Sequence, residues 1–379
     1  MRSPGAAAIA AATALNLPLG TLYAFSVFLK PVEGLLGIGR TEMSFVFALA
    51  TITLTVGMNF APWFYRRFSP FVLALGCAIT AAAGLWLAAS ATTFAQFAVG
   101  YGVVVGPGAG IGFILVQQAV NQTVTKRRGL ANGYVVSLYP LGAMVGAPIL
   151  GWSIGAFGVR ATLAGLGATV LATSVLAGVL LRRIRTHDSA AERASPDPQW
   201  GLFLRLATVF FLAAAAGLMV MSQAAGIVQA YGGSTAIAVV ATTVIMAAVG
   251  GARIAGGWLV DHFAIPHVAI GCQLISLLGA VALTIWPTAA IAVVALSMIG
   301  IGYGVISGLT AAAIARYWHK NAFGSVASRL YIAWCVAAVT LPIVAGWIYD
   351  RTQGYGAALV PAGGANLIAV GIAARLPKP

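Results

Sequence analysis

Long apolar stretches, separated by short polar ones, run through the chain from end to end. Each stretch is about 20 residues long, which is the length that an α-helix needs to cross a bilayer. Twelve such stretches occur, at residues 6–28, 42–64, 70–90, 94–118, 131–153, 161–181, 202–228, 235–259, 267–286, 289–314, 325–348 and 357–374. The pattern predicts an all-α, polytopic membrane protein with twelve transmembrane helices.

Composition and charge placement support this interpretation. The chain is 60% hydrophobic and 7% charged, whereas soluble domains carry about 25% charged residues. If the N-terminus is cytoplasmic, fifteen of the basic residues fall at cytoplasmic ends of spans and four at the opposite ends. This bias is the positive-inside signature, so the net charge of +14 reflects membrane topology and no nucleic-acid partner is expected. We predict a multi-pass protein of the cell membrane with cytoplasmic N- and C-termini.

The two halves of the chain repeat each other at a constant offset. A shift of 195 residues places Trp63 on Trp258 and Trp152 on Trp347. The one long polar segment, 182–200, lies between the halves. The sequence therefore predicts an N-terminal six-helix half (1–181), a cytoplasmic linker (182–200) and a C-terminal six-helix half (201–379). Many secondary transporters are built from such repeats, with the substrate site at their interface.

Arg253 is the strongest candidate for a binding residue. It lies about six residues inside the end of the apolar stretch 236–259, which is about 9 Å at the helical rise. A charge at such depth costs about 2.5–3.5 kcal/mol, and the nearest carboxylate, Asp261, is eight residues away, beyond the stretch. A visiting anion would complete the site. The alternatives are that Arg253 extends to the cytoplasmic surface or forms a helix-end clamp with Asp261.

Acidic residues and histidines bear on the coupling mechanism. None of the seven acids or four histidines lies in the middle of a predicted span, although proton relays normally use such residues within the membrane. Exchange or facilitated diffusion is therefore favoured, and proton symport stays open if the substrate itself carries the proton. The three cysteines have no metal-binding spacing, and no cofactor is expected.

Twelve spans, a repeat of six and six, and a polar middle loop resemble the major facilitator superfamily over essentially the whole chain. The resemblance implies the major facilitator fold, alternating access and a monomer. The family's loop after span two usually carries an Asp-Arg pair in a Gly-rich motif. Here that loop reads FAPWFYRRFSP, with Arg66 and no acid, while the second copy, ARIAGGWLVDHF, keeps Asp261. The resemblance implies gating roles for Asp261 and Arg66.

Three segments narrow the resemblance to the oxalate/formate antiporter family and the related monocarboxylate transporters. They are LPLGTLYAFSVFLKPV at 17–32, GGARIAGGWLVD at 250–261 and the segment 320–355. In both groups an arginine of span eight contacts the substrate carboxylate, and it corresponds to Arg253. The resemblance also implies a cavity lined mainly by spans one, four, seven and ten. Candidate substrate-binding residues beside Arg253 are Tyr23, Phe113, Gln117, Tyr139, Tyr303, Tyr331 and Trp334.

The sequence departs from the oxalate exchanger at two of these positions. A lysine of span eleven supplies a second positive charge in that exchanger, and Trp334 occupies the matching position here. Phe113 stands where the group commonly has tyrosine. One cation suits a monoanion, because a dianion would leave a charge uncompensated at low dielectric. We therefore predict transport of a small monocarboxylate such as lactate, pyruvate or formate, with Arg253 pairing bidentately with the carboxylate.

Two other functions remain open at this point. A multidrug or metabolite efflux antiporter of the same fold is the first alternative, although Arg253 disfavours cationic substrates. A membrane sensor that binds a carboxylate without moving it is the second. An enzyme is not expected, because the sequence offers no nucleophile–base pair, metal cluster or soluble catalytic domain. The expected partners are a small organic anion and the lipid bilayer.

Overall fold

A computed structural model describes residues 4–184, 199–352 and 355–377, and every regular element within these ranges is helical. Most of the predicted linker, 182–200, lies outside the described residues. The helices are α1 (Pro4–Leu19), α2 (Leu29–Leu36), α3 (Arg40–Tyr65), α4 (Pro70–Ala89), α5 (Phe94–Phe97), α6 (Val105–Thr123), α7 (Arg128–Leu181), α8 (Trp200–Ala230), α9 (Thr235–His262), α10 (Ile265–Ile285), α11 (Ala289–Tyr317), α12 (Phe323–Ala338), α13 (Leu341–Thr352) and α14 (Gly356–Ala373).

The helices account for the predicted membrane spans. Within the described ranges, ten helical segments are long and apolar enough to cross a membrane, and Leu359–Ala373 is a shorter apolar helix. One of the ten, α7, runs for 54 residues and is broken at Gly158, where φ is 81° and ψ is 167°. Glycine adopts such a positive φ without steric cost, and the break separates predicted spans five and six. The twelve predicted spans are therefore all represented.

Two predicted spans are interrupted near a proline. Span one changes after Pro18 from α1 into a 3₁₀ stretch, Gly20–Phe28. Span eleven is divided into α12 and α13, and the second part begins with Leu341 and Pro342. Proline lacks a backbone N–H and clashes with the preceding turn. Because the sequence is uniformly apolar at both places, its hydropathy pattern did not predict these breaks.

The structure repeats with the offset found in the sequence. Four helix starts in the first half have counterparts 195 residues later: Arg40 and Thr235, Pro70 and Ile265, Phe94 and Ala289, Arg128 and Phe323. In the first two pairs the helices are also similar in length, with 26 and 28 residues and with 20 and 21 residues. The precise division at 182–200 stays a prediction.

By its internal contacts the chain forms two compact units. Unit 1 comprises Met1–Lys126, Leu138–Ser195 and Trp318–Tyr331. At its centre α6 packs against α3 through Gly106 and Gly110, and against α4 through Gly108. Small residues allow such close approach where lipid supplies no hydrophobic drive. The dense glycine run of span four therefore serves helix packing.

Unit 2 comprises Arg127–Ser137, Pro196–Tyr317 and Ile332–Pro379. Its central helix is α11, which packs against α8, α9 and α10. Gly304 and Gly308 of α11 lie against the backbone of α9, and Gly302 lies against α10. These approaches bring α9, which carries Arg253, deep into the unit.

Candidate functional site

Arg253 is buried in unit 2, with 3% of its surface exposed. Its backbone lies against glycines of two neighbouring helices. A Cβ on Gly308 of α11, or on Gly133 of α7, would clash with the carbonyl oxygen of Arg253. Because both positions lack a side chain, α9 lies close to both helices and the guanidinium is enclosed. The alternative that Arg253 reaches the aqueous surface does not fit this burial.

The guanidinium of Arg253 donates hydrogen bonds to two neutral oxygens. Its Nη1 lies 2.7 Å from the carbonyl oxygen of Val136, and its Nη2 lies 2.9 Å from the hydroxyl of Tyr303. The guanidinium carbon is 5.2 Å from the centre of the Tyr303 ring, within the range of a cation–π contact. These contacts orient the side chain. Because both acceptor oxygens belong to neutral groups, these two hydrogen bonds do not neutralise the positive charge of the guanidinium.

Pro140 explains why the Val136 carbonyl is available to Arg253. In an α-helix this carbonyl would accept the N–H of the residue four positions later, which here is Pro140. Proline has no N–H, so the carbonyl lacks its helical partner and must be satisfied by a neighbour. The sequence reasoning did not identify Val136. The signal was available, since an intramembrane proline frees the carbonyl four residues before it.

Tyr303 joins Arg253 to Trp334. Its ring is 1% exposed and packs against Gly217 of α8, where a Cβ would clash with the ring. Its hydroxyl accepts a hydrogen bond from Nε1 of Trp334 at 2.8 Å as well as the one from Arg253. The structure therefore brings together three of the predicted substrate-binding residues. We call Arg253, Tyr303, Trp334 and the Val136 carbonyl the arginine group.

The other five predicted substrate-binding residues come together in unit 1. Phe113 lies edge-on between two tyrosines, with ring centres 5.1 Å from Tyr139 and 5.3 Å from Tyr331. Tyr23 contacts Tyr139 at 5.5 Å, and Gln117 Nε2 lies 3.4 Å from the Tyr331 hydroxyl. We call these five residues the tyrosine group. Tyr331 and Trp334, three residues apart on α12, thus contact different groups.

Gln117 carries an unused acceptor. The residue is fully buried, and within the described part of the chain its Oε1 has no hydrogen-bond partner. An unsatisfied buried oxygen of this kind costs about 1–3 kcal/mol. The oxygen is therefore a place where a donor, such as a substrate hydroxyl or a water molecule, would be stabilised.

Asp261 is bound to the start of α7. Its two carboxylate oxygens accept the backbone N–H groups of Gly129 and Leu130, each at 3.0 Å. A carboxylate at a helix N-terminus is favoured by the helix dipole. Eight residues of helix separate Asp261 from Arg253 by about 12 Å, so the alternative of a clamp between them does not fit these bonds.

Arg66, the second predicted gating residue, is exposed at the end of α3 in unit 1. Its Nε lies 3.1 Å from the carbonyl oxygen of Pro62. The gating roles of Arg66 and Asp261 stay predictions. None of the three acidic side chains that the structure describes, Glu33, Glu42 and Asp261, is buried.

Replacing Pro140 tests whether the freed carbonyl positions Arg253. In Pro140→Ala, the new N–H competes with Arg253 for the Val136 carbonyl. We expect substrate uptake at low concentration to fall about fivefold, equivalent to about 1 kcal/mol. The thermal unfolding temperature should stay the same or rise, because α7 gains a backbone hydrogen bond. Uptake into proteoliposomes and unfolding of the purified protein measure the two effects.

Pro361→Ala is the matched control, because Pro361 also lies inside a helix, α14 of unit 2, outside the arginine group. It should leave uptake within about twofold of the original protein, as expected for a site that does not interact with the group. Unchanged uptake in Pro140→Ala would show that the Val136 carbonyl does not control the position of Arg253.

Comparison with known proteins places the chain among transporters. A family model described as Major Facilitator Superfamily matches residues 7–342. The uncharacterized MFS-type transporter YhjX of Escherichia coli (strain K12) is 25% identical over 285 residues, which cover 72% of this chain and 70% of that protein. Monocarboxylate transporter 13 of Rattus norvegicus is 25% identical over 374 residues, covering 95% of this chain and 86% of that protein.

Solved structures show the same fold at low sequence identity. The proton:xylose symporter XylE, bound to 6-bromo-6-deoxy-D-glucose, matches with a TM-score of 0.81 and 13% identity, over 99% of this chain and 96% of that one. The human organic anion transporter TETRAN matches with a TM-score of 0.75 and 15% identity, over 98% of this chain and all (100%) of that one. At such identity the likeness shows the fold alone.

Proposed function

Because the chain belongs to the Major Facilitator Superfamily, we propose that it carries a small organic anion across the cell membrane by alternating access. The simplest substrate is a monocarboxylate such as lactate, pyruvate or formate. Members of this family and the matching solved structures are transporters, so the protein is a multi-pass membrane transporter and not an enzyme. We further propose cytoplasmic termini and a monomer.

The buried guanidinium of Arg253 carries the proposal. Hydrogen bonds to the Val136 carbonyl and the Tyr303 hydroxyl hold it in one orientation, and both oxygens belong to neutral groups. A fixed planar guanidinium can offer two parallel N–H donors to a carboxylate, which ammonium geometry does not match. Binding a monoanion would neutralise the charge that burial penalises. The predicted substrate therefore has a carboxylate and a single negative charge.

Tyr303 supplies a further donor to the same anion. A phenol has one O–H donor and two acceptor lone pairs. Nη2 of Arg253 and Nε1 of Trp334 both donate to its oxygen, so both lone pairs are used. The hydroxyl proton must then point to a different acceptor. A carboxylate oxygen beside Arg253 would accept it, and a cationic substrate could not.

Trp334 supports a monoanion over a dianion. Its indole N–H is committed to Tyr303 at 2.8 Å, so the position contributes a neutral donor where the oxalate exchanger has a lysine. In a site of low dielectric a second substrate charge would remain unpaired, at a cost of several kcal/mol. The likeness to Monocarboxylate transporter 13 over most of both chains also supports this substrate class.

The described acids bear on the coupling mode. None of their side chains is buried, and proton relays normally need a buried acid or histidine. We therefore propose exchange or uniport, and proton symport would require the substrate to bring its own proton. An efflux antiporter of the same fold for drugs or other metabolites is the alternative function.

Transport by the purified protein in liposomes tests the proposal. Uptake of radiolabelled lactate is measured with and without internal carboxylate, and with and without a pH gradient, against protein-free liposomes. Dependence on internal carboxylate would establish exchange, and dependence on the pH gradient alone would establish proton-linked transport.

Radiolabelled oxalate is the second arm of this experiment. We expect lactate uptake to exceed oxalate uptake about tenfold or more, because the uncompensated charge of oxalate costs over 1.4 kcal/mol. Strong oxalate exchange would contradict the role given to Trp334. No uptake of either anion would favour the efflux alternative.

A further inference from the structure

Two buried amide side chains of unit 1, Asn16 of α1 and Gln117 of α6, carry polar atoms without hydrogen-bond partners. Both side chains are fully buried. Within the described part of the chain, both amide atoms of Asn16 and the Oε1 of Gln117 make no hydrogen bond. Buried polar atoms of this kind are costly inside a membrane-spanning unit. They therefore favour binding of a hydrogen-bonding group from outside the chain. We call Asn16 and Gln117 the amide pair.

Asn16 faces the tyrosine group. A Cβ on Gly20 would clash with the backbone of Tyr139, so this face of span one lies against α7. Asn16 is four residues before Gly20 and shares its helix face. Tyr23 is three residues after Gly20, which is one turn of the 3₁₀ stretch, and its ring contacts that of Tyr139 at 5.5 Å. Asn16 therefore lies on the face of span one that carries Tyr23.

The amide pair lies at neighbouring levels of two antiparallel helices. A Cβ on Gly5 of α1 would lie 3.3 Å from the side chain of Val124, just after α6. At the other end of the contact, a Cβ on Gly112 of α6 would lie 2.9 Å from the side chain of Leu15. The asparagine follows Leu15 directly, and the glutamine lies five residues after Gly112, about 7.5 Å along the axis. Side chains lean toward the N-terminus of their own helix, so the two amides lean toward each other.

The surroundings of the amide pair are uncharged. Neither α1 nor α6 contains an acidic residue, a basic residue or a histidine. Phe113, one turn before Gln117, contacts the rings of Tyr139 and Tyr331. Neutral amides do not compensate an ionic charge, so the group that they bind is neutral. Because the unpartnered atoms are two oxygens and one nitrogen, this group must both donate and accept hydrogen bonds.

We propose that the amide pair binds the hydroxyl group of a transported monocarboxylate. A hydroxyl has one donor and two acceptor lone pairs, so it can donate to an amide oxygen and accept from Nδ2 of Asn16. A keto oxygen can only accept, and a methylene group can do neither. The assignment rests on the proposed function, because it adds a second recognised group to the same class of anion. It predicts that lactate is preferred over pyruvate, and pyruvate over propionate.

Uptake of these three acids by proteoliposomes tests the assignment. They are monocarboxylates of similar size that carry a hydroxyl, a keto oxygen or only hydrogen on the carbon beside the carboxylate. Initial uptake of each radiolabelled acid is measured at low concentration. We expect lactate uptake to exceed propionate uptake about tenfold, equivalent to about 1.4 kcal/mol, with pyruvate between them. The reason is that a site built to bind a hydroxyl rejects an analogue that lacks it.

Replacing the amide pair should remove this preference. In Asn16→Leu/Gln117→Met, side chains of similar size without hydrogen-bonding groups of comparable strength take the place of both amides. Uptake of lactate should fall to within about twofold of propionate uptake, because no buried amide then distinguishes the two acids. Uptake of propionate should be retained, and the thermal unfolding temperature should stay the same or rise. A purely structural role would instead lower the unfolding temperature and reduce the uptake of all three acids equally.

Asn366→Leu/Gln273→Met is the matched control. Asn366 of α14 and Gln273 of α10 are also fully buried amides. Within the described residues, the Oδ1 of Asn366 and both amide atoms of Gln273 have no hydrogen-bond partner. Both residues lie in unit 2, outside the arginine group. This variant makes the same chemical changes and should keep the full preference for lactate.

The outcomes separate this assignment from the proposed function. Equal uptake of lactate and propionate by the original protein would overturn the hydroxyl assignment and leave the proposed anion transport intact. A full preference for lactate in Asn16→Leu/Gln117→Met, or its loss in the control, would also overturn the assignment. Uptake of none of the three acids would contradict the proposed function, and the hydroxyl assignment would be wrong with it.

Discussion

Arg253→Lys is expected to lose most lactate uptake while the protein still folds and reaches the membrane. Arginine presents five N–H donors in one plane, whereas lysine presents three donors on a single nitrogen. In the structure two guanidinium nitrogens of Arg253 already bond to Val136 and Tyr303. A lysine that kept both bonds would have one N–H left for the substrate, so the bidentate contact with a carboxylate would be lost.

We expect uptake at low lactate concentration to fall about 100-fold in Arg253→Lys, which corresponds to about 2.7 kcal/mol. Hydrogen bonds to charged groups contribute about 1.5–3 kcal/mol each, so one bond lost and one weakened give this magnitude. The measurement is initial uptake by proteoliposomes that contain equal amounts of each protein. Elution from a sizing column and the thermal unfolding temperature report whether the variant is folded.

Arg351→Lys is the matched control for this substitution. Arg351 lies at the end of α13, exposed and over the ring of Trp347, so the same chemical change is made outside the arginine group. It should leave uptake unchanged. If Arg253→Lys transports lactate as fast as the original protein, Arg253 does not bind the carboxylate and the proposed substrate class loses its main support.

The sequence was sufficient to predict the fold. Apolar stretches of membrane-spanning length predicted the helices, and the family match over residues 7–342 confirms the resemblance to the major facilitator superfamily. The offset of 195 residues was predicted from two matching pairs of tryptophans, and four helix starts follow it. Both signals are local or periodic, so they can be read without knowing which helices are neighbours.

The grouping of the candidate site residues could not be predicted in the same way. Tyr331 and Trp334 are three residues apart and share a helix face. In the structure Tyr331 contacts Phe113, whereas Trp334 donates to Tyr303. Helical spacing predicts the direction in which a side chain leaves its own helix. The residue that it contacts depends on which helices pack on that side. Such packing is decided by residues far apart in the sequence.

The bond from Arg253 to Val136 illustrates a signal that the sequence contained. These residues are 117 positions apart, so no local pattern connects them. Pro140 nevertheless predicts that the Val136 carbonyl lacks its helical partner, and a buried arginine requires acceptors. Matching freed carbonyls to buried donors would have named Val136 as one of a few possible partners.

Tyr303→Phe is expected to reduce lactate uptake by weakening both the substrate contact and the orientation of Arg253. The substitution removes the hydroxyl oxygen that accepts hydrogen bonds from Arg253 and Trp334. It also removes the hydroxyl proton, which we propose donates a hydrogen bond to the substrate. Leaving buried donors unsatisfied costs about 1–3 kcal/mol. We therefore expect uptake at low lactate concentration to fall about 10- to 30-fold, mainly through a higher KM, because binding of the carboxylate is what weakens.

Tyr101→Phe provides the control for loss of a buried hydroxyl. Tyr101 is 1% exposed, and it stacks on Phe97 in unit 1 with ring centres 5.8 Å apart, outside both groups. It should keep uptake within about twofold, as expected for a residue without coupling to the site. Equal losses in Tyr101→Phe and Tyr303→Phe would indicate a general effect of removing buried hydroxyls.

A double-mutant cycle with Trp334→Phe separates the orienting role of Tyr303 from its role as a donor to the substrate. If Tyr303 acts only by holding Trp334, the double variant loses no more uptake than the worse single variant. If its proton also contacts the carboxylate, Tyr303→Phe costs more than Trp334→Phe, and the cycle shows a coupling of about 0.5–3 kcal/mol. Independent, fully additive losses would contradict a shared hydrogen bond of 2.8 Å between the two side chains.

Unchanged lactate uptake in Tyr303→Phe would show that Tyr303 is not part of the substrate site. Arg253 would then remain as the proposed anion-binding residue.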